Sequence, residues 1–334
     1  MRSIKNVRLE GKKVLLRSDF DLPMKDKVIE DDTRLKISSK TIKFVEKAEK
    51  VILIGHLGRP AFNEDKYSLQ IIKKPLQKLI DEEVSFSSYY EKIPEGKIIL
   101  IENLRFFPGE EGNDLDFAKK LAFLADLYVN DCFAVSHRNH ASIVGIPKLL
   151  PSYAGLNLEK EVEILDPALR NPQRPLVALI GGAKIETKLP IIENLAKICD
   201  SVLIGGKLPL EILSRNYISL LKNVFIADLK ERKDIDDKSI DIFVSLIKGA
   251  KTIVWNGPMG VFEEEKFSIG TKKIAKAVAE SKAFSIVGGG ETIAALVFFG
   301  YTSKIKHLSM GGGAMLDFLA GKELPGLKAL GYYE

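Results

Sequence analysis

The sequence predicts an α/β protein made of two doubly wound parallel-sheet (Rossmann-like) domains, and three observations lead there. Short β-branched runs alternate with longer helical patterns almost from end to end, which is the arrangement of parallel sheets covered by helices. At 334 residues the chain exceeds the size at which one core stops growing, so two domains follow. The strand ends of the two halves also carry different chemistry.

Taken in order, the predicted strands of the first half are residues 13–18, 51–55, 98–102 and 127–131. Those of the second half are 176–180, 201–204, 252–255, 284–287 and 305–308. Between them lie amphipathic stretches such as 114–125 and 269–281, with apolar residues at helical spacing. A join falls at residues 150–155. Residues 156–169 then read as a helix, and Asn171-Pro-Gln-Arg-Pro175 breaks it before the next strand. That helix reads as a hinge element between the halves. In the second half one theme, a strand followed by two or three glycines and a helix, occurs four times.

Composition excludes several function classes. No apolar run approaches the length of a membrane span, and the start, Met1-Arg-Ser-Ile-Lys-Asn6, has no apolar segment behind it to make a secretory signal. Cys132 and Cys199 lie far apart with no metal-ligand spacing, and read as buried free thiols in a reducing, cytoplasmic compartment. The net charge of +5 is mild, and its basic residues are scattered or isolated at strand ends, which fits a small anionic substrate better than nucleic acid.

Ligands of open α/β sheets sit beyond the carboxyl ends of the strands. In the first half those ends carry charge or imidazole: Arg17-Ser-Asp19-Phe-Asp21, His56-Leu-Gly-Arg59, Glu102-Asn-Leu-Arg105, and Asp131 followed by His137-Arg138-Asn-His140. Arginine offers a planar fork of donors suited to phosphate or carboxylate. A single such arginine is most simply a solvated charge, but four basic strand ends in one half make an anion site. In the second half the ends carry glycine, at Gly181-Gly182, Gly205-Gly206, Gly288–Gly290 and Gly311–Gly313. Glycine lets the backbone approach a ligand and leaves helix N-terminal amides facing an anion, although a tight turn explains any one pair as well. Lys184 and Lys188 share a helical face just after the first pair.

Neither GxxxxGK[ST] nor a full GxGxxG is present, and no nucleophile–base pair accompanies the four histidines. A carboxylate or phosphate acceptor has no proton to remove. Catalysis then consists of positioning and charge stabilisation.

These residues resemble phosphoglycerate kinase, in the family's order and over nearly the whole chain. The resemblance rests on Arg17-Ser-Asp-Phe-Asp-Leu-Pro23, Asp31-Asp-Thr-Arg34, Gly55-His-Leu-Gly-Arg-Pro60, Glu102-Asn-Leu-Arg-Phe106 and His137-Arg-Asn-His-Ala-Ser142. In the second half it rests on Gly181-Gly-Ala-Lys184 with Lys188, Trp255-Asn-Gly-Pro-Met-Gly-Val-Phe-Glu263, Gly288–Thr292, Gly311–Gly313 and Leu324-Pro-Gly326. It implies two domains facing a central cleft. Residues 1–155 with 319–334 would bind phosphoglycerate, 156–171 would form the connecting helix, and 172–318 would bind the nucleotide.

The implied reaction is reversible phosphoryl transfer between 1,3-bisphosphoglycerate and ADP, giving 3-phosphoglycerate and ATP. The implied substrate ligands are Asp19, Asp21, Arg34, His56, Arg59, Arg105 and Arg138, and the catalytic groups are Arg34, Lys184 and Lys188. The nucleotide would meet Lys188, Gly205, Gly206, Asn256, Pro258, Glu263, Gly288, Gly289, Gly290, Glu291 and Thr292, with Glu291 as the Mg²⁺ ligand. A cytoplasmic monomer with small-molecule substrates, and with neither nucleic-acid nor membrane partners, completes the expectation.

Three departures from the family pattern stand out. Asp21 replaces an asparagine, putting a carboxylate beside an anionic substrate. Glu291 replaces an aspartate, and its longer arm has to fold back toward the metal. After Gly206 the adenine-pocket stretch is cut down to roughly 211–233, and Asp234-Ile-Asp-Asp-Lys-Ser239 lacks the family's glycine and proline. A shallower pocket implies weaker or less base-selective nucleotide binding. The departures also leave a second class of reading, a non-catalytic phosphoglycerate-binding or scaffold protein derived from the family.

Overall fold

Successive residues of a strand point to opposite faces, so a strand covered on both sides must be apolar throughout. The central strands of this chain meet that condition, as in residues 51–54 and 176–180. The computed structural model describes residues 1–183, 185–215 and 222–334. Contacts divide the chain into two units, Met1–Val162 with Glu323–Glu334, and Glu163–Lys322.

The first unit holds six parallel strands, β1 (Lys13–Arg17), β2 (Lys50–Ile54), β3 (Val84–Ser87), β4 (Ile98–Ile101), β5 (Leu127–Asn130) and β6 (Ser152–Ala154), in the order β3-β4-β2-β1-β5-β6. Val14, Leu16, Val51, Leu53 and Val129 pack into the core on one face, while Leu15, Ile52, Ile54 and Tyr128 pack on the other. Helices α1 (Thr33–Val45), α2 (Gln70–Ile80) and α3 (Leu115–Ala122) cover the faces. Asp114 caps α3 by accepting from Phe117 N at 2.7 Å. Helix α4 (Leu156–Arg170) follows β6 and is shared between the two units.

The second unit repeats the plan with β7 (Leu176–Ile180), β8 (Ser201–Ile204), β9 (Val224–Ile226), β10 (Thr252–Asn256), β11 (Phe284–Gly288) and β12 (His307–Ser309). Their order is β9-β8-β7-β10-β11-β12, all parallel. The strand order therefore reverses between β7 and β10, the switch point at which such sheets open a crevice. Its helices are α5 (Ile185–Ile198), α6 (Leu208–Arg215), α7 (Asp237–Gly249), α8 (Ile269–Glu280), α9 (Gly290–Phe298) and α10 (Gly312–Leu319).

Among the described residues, three strands of the two six-stranded sheets lie outside the sequence expectation: β3, β6 and β9. Each is a three- or four-residue strand at a sheet edge, and β6 occupies the segment read as the join. The last predicted strand, 305–308, begins two residues later, at His307. The Glu323–Glu334 segment belongs to the first unit, where Gly326 N donates to Ser136 O at 2.8 Å. Among the described residues no helix is long and apolar enough to cross a membrane.

Candidate active site

In the first unit the charged groups gather at the carboxyl ends of β1, β2 and β4. Asp19, just past β1, is buried and accepts a hydrogen bond from the Arg34 guanidinium at the start of α1. Burial pushes the Asp19 carboxyl up, and Arg34 pulls it back. Asp21 is half-exposed. It accepts from Gly58 N at 2.8 Å and lies 3.7 Å from His56 Nε2. Arg105 donates to Gly58 O at 2.6 Å and pairs with Glu111 at 3.1 Å. Burial lowers the Arg105 pKa, and the like charges of Arg17 and Arg59 add to that. Arg59 and Arg138 are exposed.

Burial, with the surrounding positive charge added to it, disfavours protonation of His56 and His140. Burial first, then Arg17, Arg105 and Arg34, push His56 well below the ordinary histidine value. Burial with Arg105, Arg17 and Arg138 lowers His140 to about 4. Both shifts favour the neutral imidazole beside guanidiniums that stay charged.

Arg17 differs from the other arginines. It is 1% exposed, and its donors are committed inward, to Ser18 O at 2.5 Å, His56 Nδ1 at 2.9 Å and Ser142 Oγ at 3.2 Å. Beneath it Glu110, fully buried, accepts from Ser142 N at 2.9 Å and Ser142 Oγ at 2.6 Å. Asp131, at the end of β5, is also buried and accepts from Asn157 N at 2.8 Å at the start of α4. Sequence reading gave no role to Glu110 or Ser142. Ser142 does close the run His137-Arg-Asn-His-Ala-Ser142, whereas Glu110 and Glu111 merely end a short helix begun by Pro108, where a carboxylate is usually solvated.

In the second unit the glycine-bearing strand ends lie side by side. Lys188, in the first turn of α5, donates to Asn256 Oδ1 at the end of β10. Asn256 Nδ2 donates in turn to Gly288 O at 2.8 Å and Gly312 O at 3.3 Å, so one amide ties β10 to β11 and to the start of α10. Thr292 Oγ1 accepts from Gly257 N at 2.7 Å. Burial lowers the Lys188 ammonium to about 8 against the opposing pull of Glu291 and Asp317.

Two glycines here are required by geometry. A Cβ on Gly181 would lie 2.1 Å from Pro258 O. Gly289, at φ +99°, stands at the N-cap of α9 with no side chain capping the helix. Gly205 and Gly206 turn tightly after β8, donating to Ile180 O and Met259 O, both at 3.0 Å. Gly288 and Gly290 flank the α9 start, Pro258 is buried, and Glu263 and Glu291 are exposed. Lys184 lies outside the described residues, as do residues 216–221 of the shortened stretch.

A family model described as phosphoglycerate kinase matches residues 4–229 and 214–322. Phosphoglycerate kinase of Dictyoglomus turgidum is 42% identical, with 96% of each chain covered, and that of Thermosipho africanus is 40% identical over 98% of this chain and 97% of the relative. The first alignment runs over 382 positions against 334 residues here, so this chain skips at least 48 of them. Two solved structures superpose over 99% of both chains. Phosphoglycerate kinase from Coxiella burnetii has a TM-score of 0.85 at 35% identity, and that from Pyrococcus horikoshii OT3 has 0.86 at 31%.

Proposed function

This chain belongs to the phosphoglycerate kinase family, and from that premise we propose which of its residues perform the reaction. The reaction moves a phosphoryl group reversibly between 1,3-bisphosphoglycerate and ADP, giving 3-phosphoglycerate and ATP. The P–O bond to the substrate carboxyl breaks as a P–O bond to the terminal phosphate of ADP forms. Neither oxygen carries a proton that must leave, so the residues bind, orient and neutralise.

The observation that supports this assignment is the contrast between the two sheet edges, guanidinium and imidazole in one unit, amides and Lys188 in the other. Asp19, His56, Arg59, Arg105 and Arg138 hold phosphoglycerate, with Asp21 at the same loop as the carboxylate that accepts from Gly58 N, and with Arg34 neutralising the group in transfer. On the nucleotide side Lys188 and Lys184 meet the phosphates, as do Asn256, Thr292 and the amides of Gly288–Gly290. Gly205, Gly206 and Pro258 line the base and Glu263 the ribose. Mg²⁺ takes one or two carboxylates and leaves its other positions to phosphates and water, so the exposed carboxylate of Glu291, in the first turn of α9, fits it. When bound with the nucleotide the ion supplies charge neutralisation at the phosphate oxygens. The enzyme works as a cytoplasmic monomer.

A coupled assay with 3-phosphoglycerate, MgATP and an excess of a dehydrogenase that consumes 1,3-bisphosphoglycerate tests the assignment. Turnover is expected, and Arg34→Ala should abolish it. A folded protein that binds 3-phosphoglycerate without turnover would instead be the binding or scaffold protein.

A further inference from the structure

Arginine has five N–H donors and no acceptor. A ring nitrogen 2.9 Å from a guanidinium nitrogen must therefore present its lone pair. The contact between Arg17 and His56 Nδ1 thus places the single proton of the neutral imidazole on Nε2. That Nε2 points toward Asp21 Oδ2 at 3.7 Å, beyond hydrogen-bond reach, so Asp21 does not consume it.

What holds Arg17 in place is its hydrogen bond to Ser142, made through a different nitrogen from the one that meets His56. Its Nε donates to Ser142 Oγ, and that hydroxyl donates onward to Glu110 Oε1 at 2.6 Å. Ser142 is fixed twice more, by its amide on Glu110 Oε2 and by Tyr128 Oη donating to its carbonyl at 2.5 Å. All five residues are buried. The result is a directional chain in which Glu110 orders Ser142, Ser142 orders Arg17, and Arg17 orders His56. A buried pair that served only to balance charge would not need to end on one nitrogen of an imidazole at the substrate edge.

We propose that Arg17, clamped by Ser142 and Glu110, is a positioning residue for the phosphoglycerate site, fixing His56 as the Nε2–H tautomer that donates to the anionic substrate. The inference rests on the assignment of His56 as a substrate ligand and adds to it a group that touches no substrate.

Long-range ¹H–¹⁵N correlation spectra of the ligand-free protein, with His56→Gln identifying the signals, read the tautomer directly. The wild type should show a protonated Nε2 and a bare Nδ1 on His56. In Ser142→Ala and in Arg17→Lys the two tautomers should mix. KM for 3-phosphoglycerate should rise about tenfold while KM for MgATP stays unchanged, and Ser142→Thr, which keeps the hydroxyl, should restore both readouts. A wild-type His56 protonated on Nδ1 overturns the proposal without any variant. So does a folded Ser142→Ala or Arg17→Lys protein with an unmixed tautomer. If His56→Gln leaves KM for 3-phosphoglycerate unchanged, the substrate assignment of His56 has failed, and the tautomer spectra still decide the clamp.

Discussion

The Lys188 ammonium donates to the side-chain oxygen of Asn256, whose own amide is already committed to Gly288 O and Gly312 O. A mobile lysine is thereby fixed over the point where β7 and β10 part, and the same burial brings its pKa down to about 8.

Activity that depends on a charged Lys188 should therefore fall as pH rises through about 8, because deprotonation removes the charge that the phosphates need. A pH profile of kcat/KM for the nucleotide checks this, since that ratio reports the free enzyme. Lys188→Arg, which stays charged, should lose the alkaline limb even where its absolute rate is lower.

Asp21 puts a negative charge among Arg34, Arg105 and His56, the groups assigned to an anionic substrate. Asp21→Asn keeps an oxygen to accept from Gly58 N and removes the repulsion. KM for 3-phosphoglycerate should fall roughly three- to tenfold, the ~1 kcal/mol that one charge about 4 Å away exerts when water screens it fully. An unchanged or higher KM would mean that the carboxylate itself serves the site.

A methyl group at Gly181 would collide with backbone rather than with a side chain that can turn away, at 2.1 Å from Pro258 O and 2.5 Å from Gly257 O. Gly181→Ala should cost about 1–3 kcal/mol, in the range of overpacked sites. The loss should be confined to the second unit. Hydrogen exchange should quicken in β7 and β10 with β1 and β2 unaffected, and KM for MgATP should rise with that for phosphoglycerate unchanged.

Asp131 is a pH-dependent element of stability. Burial raises its carboxyl from 3.8 to about 7, so the folded state binds a proton that the unfolded chain releases. Its contribution is fully present below about pH 4 and is lost as pH rises through about 7. The difference in Tm between wild type and Asp131→Asn should shrink or reverse from pH 5 to pH 8. A constant difference across that range would show that Asp131 does not titrate in the folded protein.

The skipped alignment positions bear on the base. With the stretch after Gly206 cut down, the preference for ADP over GDP should stay within about tenfold, the ~1.4 kcal/mol of a single hydrogen bond. Parallel titrations of the two nucleotides decide it, and tight adenine-selective binding would contradict it.

The central strands were legible in the sequence because burial on both faces leaves continuous apolar runs, as in Val51-Ile-Leu-Ile54. The edge strands were not. Val84–Ser87 and Ser152–Ala154 are short, half-covered and rich in serine, so nothing in their composition separates them from loop. The site shows the same division. His56 and Arg105 stand in dense motifs, whereas the role of Arg17 depends on partners 39 and 125 residues away, and local spacing carries no trace of them. Glu110 looks like part of a solvated run, Glu110-Glu111, until the fold buries one of the two.

Glu323–Glu334 packs in the first unit, while the second unit is the unbroken stretch Glu163–Lys322. During synthesis the second unit is therefore complete before the first has received its final piece. Until then Ser136 O lacks its Gly326 donor and the Ile143 side chain lacks the turn that packs on it. Order of manufacture thus makes the Glu163–Lys322 unit the earlier of the two to finish. Damage to the last dozen residues would be felt in the half that the ribosome began first.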